Sequence, residues 1–446
     1  MFVDSSLPGR RVATGVLSAL ALAVLLFLLS LATPSMAQSA KERRIGKTAA
    51  AAKSASAAGT AASVLASSPL KDGEAESRLL AIYQLAAAGR GREALAQAER
   101  LAHDYPHFQL AQLAVGDLLT ARTRPLRQLG DLATLPTSSS ADPAAATTLE
   151  ELRTESRQRV DAHRIRPPEH SIPAQFLELP LSSSHAIAVD ASRSRLYLFE
   201  NTPKGLHLIA DYYASVGKLG TDKAVEGDQR TPLGVYFITS RLDPATLKDF
   251  YGAGALPINY PNPLDQSRGK TGSGIWLHGT PSDQFSRAPL ATDGCLALAN
   301  PDLARILRTV APRSTPVVIA KQLQWVQPHA TEAQRKSFDA VLNEWRRAKS
   351  AGDMKRLLAF YAPEFESYRK KPLSEWSQVL QAETRALNGR ELQLKDKSYL
   401  RWIDSSDTMV VTFGEVAEGA RTGAVKRQYW VRKGPQWQIF FEGVIG

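Results

Sequence analysis

The chain has 446 residues, a formal net charge of +11, and one cysteine. That length excludes a single domain and leaves room for two or three, and the lone cysteine excludes an intramolecular disulfide. With 43% hydrophobic and 22% charged residues the chain is ordinary for a globular protein, and its basic balance favours polyanionic neighbours without choosing among nucleic acid, anionic lipid and an acidic wall polymer.

Arg10 and Arg11 precede an apolar run from Val12 to Ala32, and Ser35-Met36-Ala37 supplies the small residues a signal peptidase reads. Residues 1–37 are therefore expected to be an export signal. The run also approaches the ~20 residues needed to span a bilayer, so an uncleaved inner-membrane anchor is the alternative. In either case the working domains are expected in the periplasm or cell envelope. Residues 38–73, rich in Ala, Ser, Lys and Gly, read as a flexible tether.

Over 74–122 the pattern is helical. Leu79, Leu80, Tyr83 and Ala87 recur at helical spacing, as do Ala94, Ala98, Leu101 and Ala102, then Leu110, Leu113, Ala114 and Leu118. This resembles one tetratricopeptide-type helix pair with an extra helix. One repeat cannot bury a continuous core alone. The segment should pack on another part of the chain or on a second copy, as a homodimer. Residues 123–172 read as a linker with a helix near Leu149–Val160.

Residues 173–322 are β-rich. Ala186–Val189 and Arg195–Phe199 read as a hairpin, and Leu206–Tyr213, Gly234–Ile238, Gly274–Leu277 and Pro316–Ile319 as further strands. Residues 331–446 begin with helices and end in strands. Phe338, Val341, Leu342, Trp345 and Ala348 share one helix face, and Leu357–Tyr361 reads as more helix. The fold class is thus multidomain: an N-terminal α-helical segment, a mainly β domain, and a C-terminal α+β cone. The aromatics of the cone are expected to fill its own core, with a ligand pocket as the alternative.

Two stretches carry chemistry: Gly274-Ile275-Trp276-Leu277-His278-Gly279 and Thr292-Asp293-Gly294-Cys295. A thiolate is a strong nucleophile, but an ordinary thiol of pKa ~8.5 is mostly protonated at neutral pH. A histidine within reach can take the proton and return it to a leaving amine. His278 ends an apolar strand, and Gly294 clears the approach to Cys295. Backbone N–H groups of Gly294 and Cys295 are candidates to face a developing oxyanion. The alternative for Cys295 is a small buried core residue. An activated thiol should alkylate well below pH ~8. No cluster has metal-ligand spacing, so neither a metal nor another cofactor is expected.

His278-Gly279 followed by Thr292-Asp293-Gly294-Cys295 resembles the signature of the YkuD-type L,D-transpeptidases. Gly217-Lys218 and the run Glu226 to Tyr236 are similar to the substrate-side strand and turn of that family. The resemblance covers roughly 180–322. Tyr260-Pro261-Asn262-Pro263 and Lys270-Thr271-Gly272-Ser273-Gly274 look like the branch of cell-shape L,D-carboxypeptidases, whose members carry a C-terminal domain like nuclear transport factor 2. The resemblance implies Cys295 as nucleophile and His278 as base and acid on peptidoglycan stem peptides. Gly279, Thr292, Asp293, Lys218 and Arg230 are the candidate substrate contacts, and no nucleic acid is expected as partner. The acceptor is an amine in a transpeptidase or water in a carboxypeptidase. A degenerate wall-binding scaffold is the reading from another class.

Two departures stand out. The wider family usually has His at Asp293 and Arg at Ala297. An anion beside the thiol would raise its pKa, so Asp293 is expected to point away or to pair with a cation such as Lys223 or Arg230. Losing the arginine removes a carboxylate clamp.

Overall fold

The computed structural model describes residues 72–125, 130 and 143–445. The export signal or anchor, nearly all of the tether and part of the linker lie outside the described residues. Among the described residues no helix is long and apolar enough to cross a membrane.

Helices Glu74–Ala87, Gly91–Asp104 and Gln109–Thr120 bury Leu79, Ile82, Ala94, Ala98, Leu101 and Leu110 against one another. The region read as a linker holds a 22-residue helix, Pro143–Arg164, longer than its apolar pattern suggested. Its buried side is charged: Arg159, 2% exposed, lies 2.6 Å from Glu155 and 2.5 Å from Glu76. Its guanidinium also stacks 4.0 Å from the Tyr213 ring of the β domain. Polar burial of this kind leaves no 3.6-residue apolar signal.

Of the two partners expected for the helical segment, another part of the chain packs on it. Phe285, from a loop of the β domain, packs its ring 4.3 Å from Phe108 and 5.4 Å from Tyr105. Glu76 also pairs with Arg195 at 2.6 Å.

The central sheet has nine strands. Their order is Gly234–Phe237, Pro316–Ala320, His185–Asp190, Arg195–Thr202, Gly205–Gly217, Leu296–Leu298, Trp276–His278 and Ala255–Pro257, with Leu290–Thr292 also beside Gly205–Gly217. His185–Asp190 and Arg195–Thr202 pair antiparallel with Ile187 opposite Leu198. Alternation sends Ile187, Val189, Leu196 and Leu198 to one core, and Ala186, Ala188, Tyr197 and Phe199 to another.

That second core is shared with the C-terminal cone, through Leu400, Trp402, Val410, Tyr429 and Phe440. The cone has a six-stranded sheet of Tyr361–Ser367, Gln436–Val444, Ala424–Lys433, Asp407–Ala417, Leu392–Ile403 and Phe176–Glu178. Its last strand comes from the start of the 173–322 segment, so that segment and the cone share a hydrogen-bonded edge as well as a core. Tyr361 starts a strand and does not end a helix, because Tyr361, Ala362 and Phe365 are buried there beside Gln436–Val444. Helix Glu332–Ala351 closes the mouth of the cone with Phe338, Leu342 and Trp345.

Candidate active site

Strands Trp276–His278 and Leu296–Leu298 pair in parallel, Leu277 opposite Leu296 and His278 opposite Ala297. Leu277, Leu296 and Leu298 point into the core. Period-two alternation then turns Trp276, His278, Cys295 and Ala297 to the opposite face. Strand spacing of ~4.8 Å and rise of ~3.3 Å per residue put the Cα atoms of Cys295 and His278 roughly 8 Å apart. Cys295 itself stands one residue before its strand, and its thiol lies against the Gly274 carbonyl and the Trp276 N–H of the strand that ends in His278.

His278 is 1% exposed. Its Nδ1 lies 2.7 Å from the Gly279 carbonyl oxygen, which can only accept. Nδ1 therefore carries the proton, and the Nε2 lone pair is free to act as a base. Burial pushes the imidazole pKa down to about 4, and the Arg287 charge adds to the shift against the Gly279 hydrogen bond. The ring sits edge-on to Tyr251 at 5.3 Å and tilted on Phe250 at 5.7 Å. Gly279 is a close-packing position: a Cβ there would meet Asn300 Oδ1 at 2.0 Å. Asn300 Oδ1 accepts from the Ala253 N–H at 2.8 Å and ties the aromatic loop to the histidine strand.

Cys295 is half-buried, with Sγ 3.4 Å from the Gly274 carbonyl oxygen. Burial pushes its thiol up, and Asp293 adds to this. The Trp276 N–H, Arg287 and Lys223 oppose the shift without reversing it. At neutral pH the resting pair is a neutral thiol and a neutral imidazole. This corrects the expectation of a thiol that alkylates well below pH ~8: burial outweighs the nearby cations.

The turn before the cysteine is closed by hydroxyls. Thr292 Oγ1 donates to the Cys295 carbonyl oxygen at 2.7 Å and accepts the Gly294 N–H at 3.1 Å. Thr231 Oγ1 donates to the Gly294 carbonyl oxygen at 3.0 Å and accepts the Gly217 N–H at 2.9 Å. Two expectations change here. The Gly294 N–H is committed to Thr292 and is not an oxyanion donor. The Thr292 hydroxyl is taken up in holding the turn before Cys295 and is not offered to substrate. Gly294 has φ +119°, and a Cβ there would meet the Arg230 carbonyl oxygen at 2.6 Å.

Asp293 points outward, its side chain 69% exposed. Its partners are Lys218 Nζ and Gln229 Nε2, both at 3.1 Å, and not Lys223 or Arg230. Lys223 is held by Asp228 at 2.8 Å, and Arg230 donates to the Thr221 carbonyl at 3.0 Å. Lys218 and Asp293 thus form an exposed pair on the rim, while Arg230 braces its own loop.

The sequence reading missed Phe250, Tyr251 and Arg287. Arg287 stacks its guanidinium 4.2 Å from the Phe250 ring centroid. Only the aromatic pair ahead of Gly252 hinted at a built loop. Nothing local marked Arg287, because its value comes from a loop folding back over the site. Among the described residues no group of His, Cys, Asp and Glu could hold a metal ion.

Residues 184–319 match the model of the YkuD L,D-transpeptidase catalytic domain. This part of the chain is a YkuD domain. Residues 337–443 match the Cds6 C-terminal NTF2-like domain, so the cone is NTF2-like. The YkuD family acts on peptidoglycan peptides, which makes this domain that of an L,D-transpeptidase-family enzyme. The structure of Bd1075 from Bdellovibrio bacteriovorus shares the fold at 24% identity and TM-score 0.52, covering 61% of this chain and 98% of that one. Pgp2 from Campylobacter jejuni, described as a helical cell shape determining protein, aligns at 20% identity and TM-score 0.48, over 65% of this chain and 99% of that one. No curated protein matches the chain significantly.

Proposed function

We propose that this chain is an exported acyltransferase that attacks peptidoglycan stem peptides through Cys295, with His278 as base and acid. One observation carries the reading: the only thiol sits against the Gly274 carbonyl and the Trp276 N–H, on the stretch that ends in the buried, tautomer-fixed His278. The outward turn of Asp293 removes one of the two departures that favoured a degenerate scaffold.

In the first half-reaction His278 Nε2 takes the Cys295 proton as sulfur bonds to the carbonyl carbon of the third stem residue. The oxyanion that forms faces the Cys295 N–H, since the Gly294 N–H is occupied. The C–N bond to the terminal D-amino acid then breaks, and Nε2–H protonates its departing nitrogen. In the second half-reaction an acceptor attacks the thioester carbonyl, His278 takes the acceptor's proton, and the thiol is restored. An amine acceptor gives a cross-link or attachment, and this L,D-transpeptidase outcome is the primary reading. Water gives L,D-carboxypeptidase trimming. Neutral resting partners fit either outcome, because the thiolate forms only as substrate excludes water. We place the reaction in the periplasm or cell envelope, serving wall biogenesis and cell shape, with the N-terminal run as signal or anchor.

Residues 38–446, incubated with defined disaccharide tetrapeptides with and without an amine acceptor, should release the terminal D-amino acid. Mass spectrometry should show a thioester adduct that is missing in Cys295→Ala. Release that persists in Cys295→Ala would overturn the mechanism.

A further inference from the structure

A groove of about 670 Å³ reaches Phe250, whose ring packs on His278, and is walled on one side by the loop that carries Arg287 and on the other by the N-terminal helices, through His107 and Gln109. Phe250 lines it and is exposed. We propose that this groove is the subsite for the departing D-amino acid, with the Arg287 guanidinium clamping that residue's terminal carboxylate. The proposal rests on the reading above and names the recognition that reading leaves open.

Placement is the first support. His278 must hand its proton to the nitrogen of the leaving residue, and only one carbon separates that nitrogen from the α-carboxylate. A cation able to hold the carboxylate must therefore stand beside the imidazole. Ala297, directly opposite His278, supplies none. Arg287 does: it stacks on Phe250, which in turn packs on His278. Its field acts on both reacting groups, disfavouring the imidazolium and favouring the thiolate.

Unspent hydrogen-bonding capacity is the second. Arg287 Nε is buried with no partner among the described residues. A buried guanidinium N–H left unmatched is uncommon, and a shift of the side chain toward the groove would present that edge to a planar carboxylate for two parallel bonds. The nearby acid, Asp293, is already held by Lys218 and Gln229. Asp283 and Glu151 also line the groove, but both are exposed, where water and salt screen them.

The third is the way the loop is fixed. Phe285 is inserted among the helices, and Ser286 Oγ donates to Glu155 Oε1 at 2.8 Å. Tyr213 donates to the Arg287 carbonyl at 2.8 Å, and Ser215 to that of Ala288 at 2.5 Å. Backbone and flanking residues hold the segment, so the Arg287 side chain can be changed without releasing it. This is the preorganisation a specificity pocket needs.

The test compares a disaccharide tetrapeptide ending in a free carboxylate with the same molecule ending in an amide. Binding is measured by calorimetry on Cys295→Ala, so no turnover is required. The acid should bind about 10- to 100-fold more tightly than the amide, the range for a hydrogen bond to a charged group. Adding Arg287→Gln should bring the two ligands within about twofold, and Arg287→Lys should keep part of the preference. In the otherwise native enzyme, Arg287→Gln should reduce kcat/KM on the acid by more than on the amide, the shared part of the loss being that of the guanidinium field on His278 and Cys295. An acid-to-amide ratio unchanged by Arg287→Gln overturns the clamp while the catalytic reading stands. If the native enzyme cleaves neither ligand and the Arg287-dependent binding ratio persists, the catalytic reading falls and the clamp survives.

Discussion

Two buried charge clusters in this molecule have opposite characters. Inside the cone, Lys349 Nζ lies 2.7 Å from Glu383 and 2.6 Å from Glu415, while Lys426 Nζ lies 2.7 Å from Glu383 and 3.1 Å from Glu442. Tyr361 and Gln428 add bonds to Glu442 at 2.7 and 2.9 Å. Every carboxylate there touches a lysine, three glutamates sharing two lysines. At the YkuD site the titratable groups are few and unpaired: a neutral thiol pushed up, a neutral imidazole pushed down, and a guanidinium with an idle N–H. A closed network specifies structure, whereas an open set of shifted groups is where a substrate can complete the bonding. The contrast also bears on the pocket considered for the cone, whose interior is taken up by this network and by Trp345, Phe413 and Trp430.

The contrast can be broken by mutation. Cys295→Ala should abolish release of the D-amino acid, and His278→Gln should lower the rate by about 10²- to 10⁴-fold, both in thermally stable protein. Lys426→Met should do the reverse. It leaves Glu383, Glu415 and Glu442 short of a cation, so denaturant unfolding should show a loss of about 3–5 kcal/mol, with kcat/KM per folded molecule kept. A Lys426→Met protein with native stability and lost activity would place chemistry in the cone and end the comparison.

Two pH experiments sharpen it. The base must be neutral, so kcat/KM should hold down to mildly acidic pH and fall as His278 protonates near pH 4. Alkylation of the resting enzyme by iodoacetamide should be slow at neutral pH and accelerate only above the ordinary thiol range of ~8.5, because burial raises Cys295. The smallest effect concerns Asp302, buried beneath the N-terminal helices, which accepts from the Gly73 N–H at 2.7 Å. Burial raises its pKa to about 7. The folded state therefore holds this proton more tightly than the unfolded chain. The resulting stability is present in full below the unfolded value of 3.8 and is lost as pH rises through about 7. Asp302→Asn should gain a few degrees of Tm over the native protein at pH 8 and little or nothing at pH 5.

The parts of this site written in neighbouring residues were legible. The short runs ending in His278 and Cys295 directed attention to two segments, one a strand and the other the turn that leads into its parallel partner. Alternation also marked most central strands, since each has a consistently buried face. What stayed hidden depends on distant partners. Phe285 reads as one aromatic in a polar loop until Phe108 is beside it. Phe176–Glu178 looks like part of the β domain, yet its strand partner is Leu392–Ile403 of the cone. The direction of the Asp293 side chain, and so its small effect on the thiol, was set by a positive φ at Gly294 and by Lys218 across the turn.

The Phe285 insertion has a practical corollary for anyone trimming this protein. A version cut at residue 173 would retain every motif residue and yet lose the aromatic socket and the Glu155 latch that seat the 281–289 segment. Such a fragment would report on a slackened catalyst whose selectivity for chain ends had been cut away with its helices.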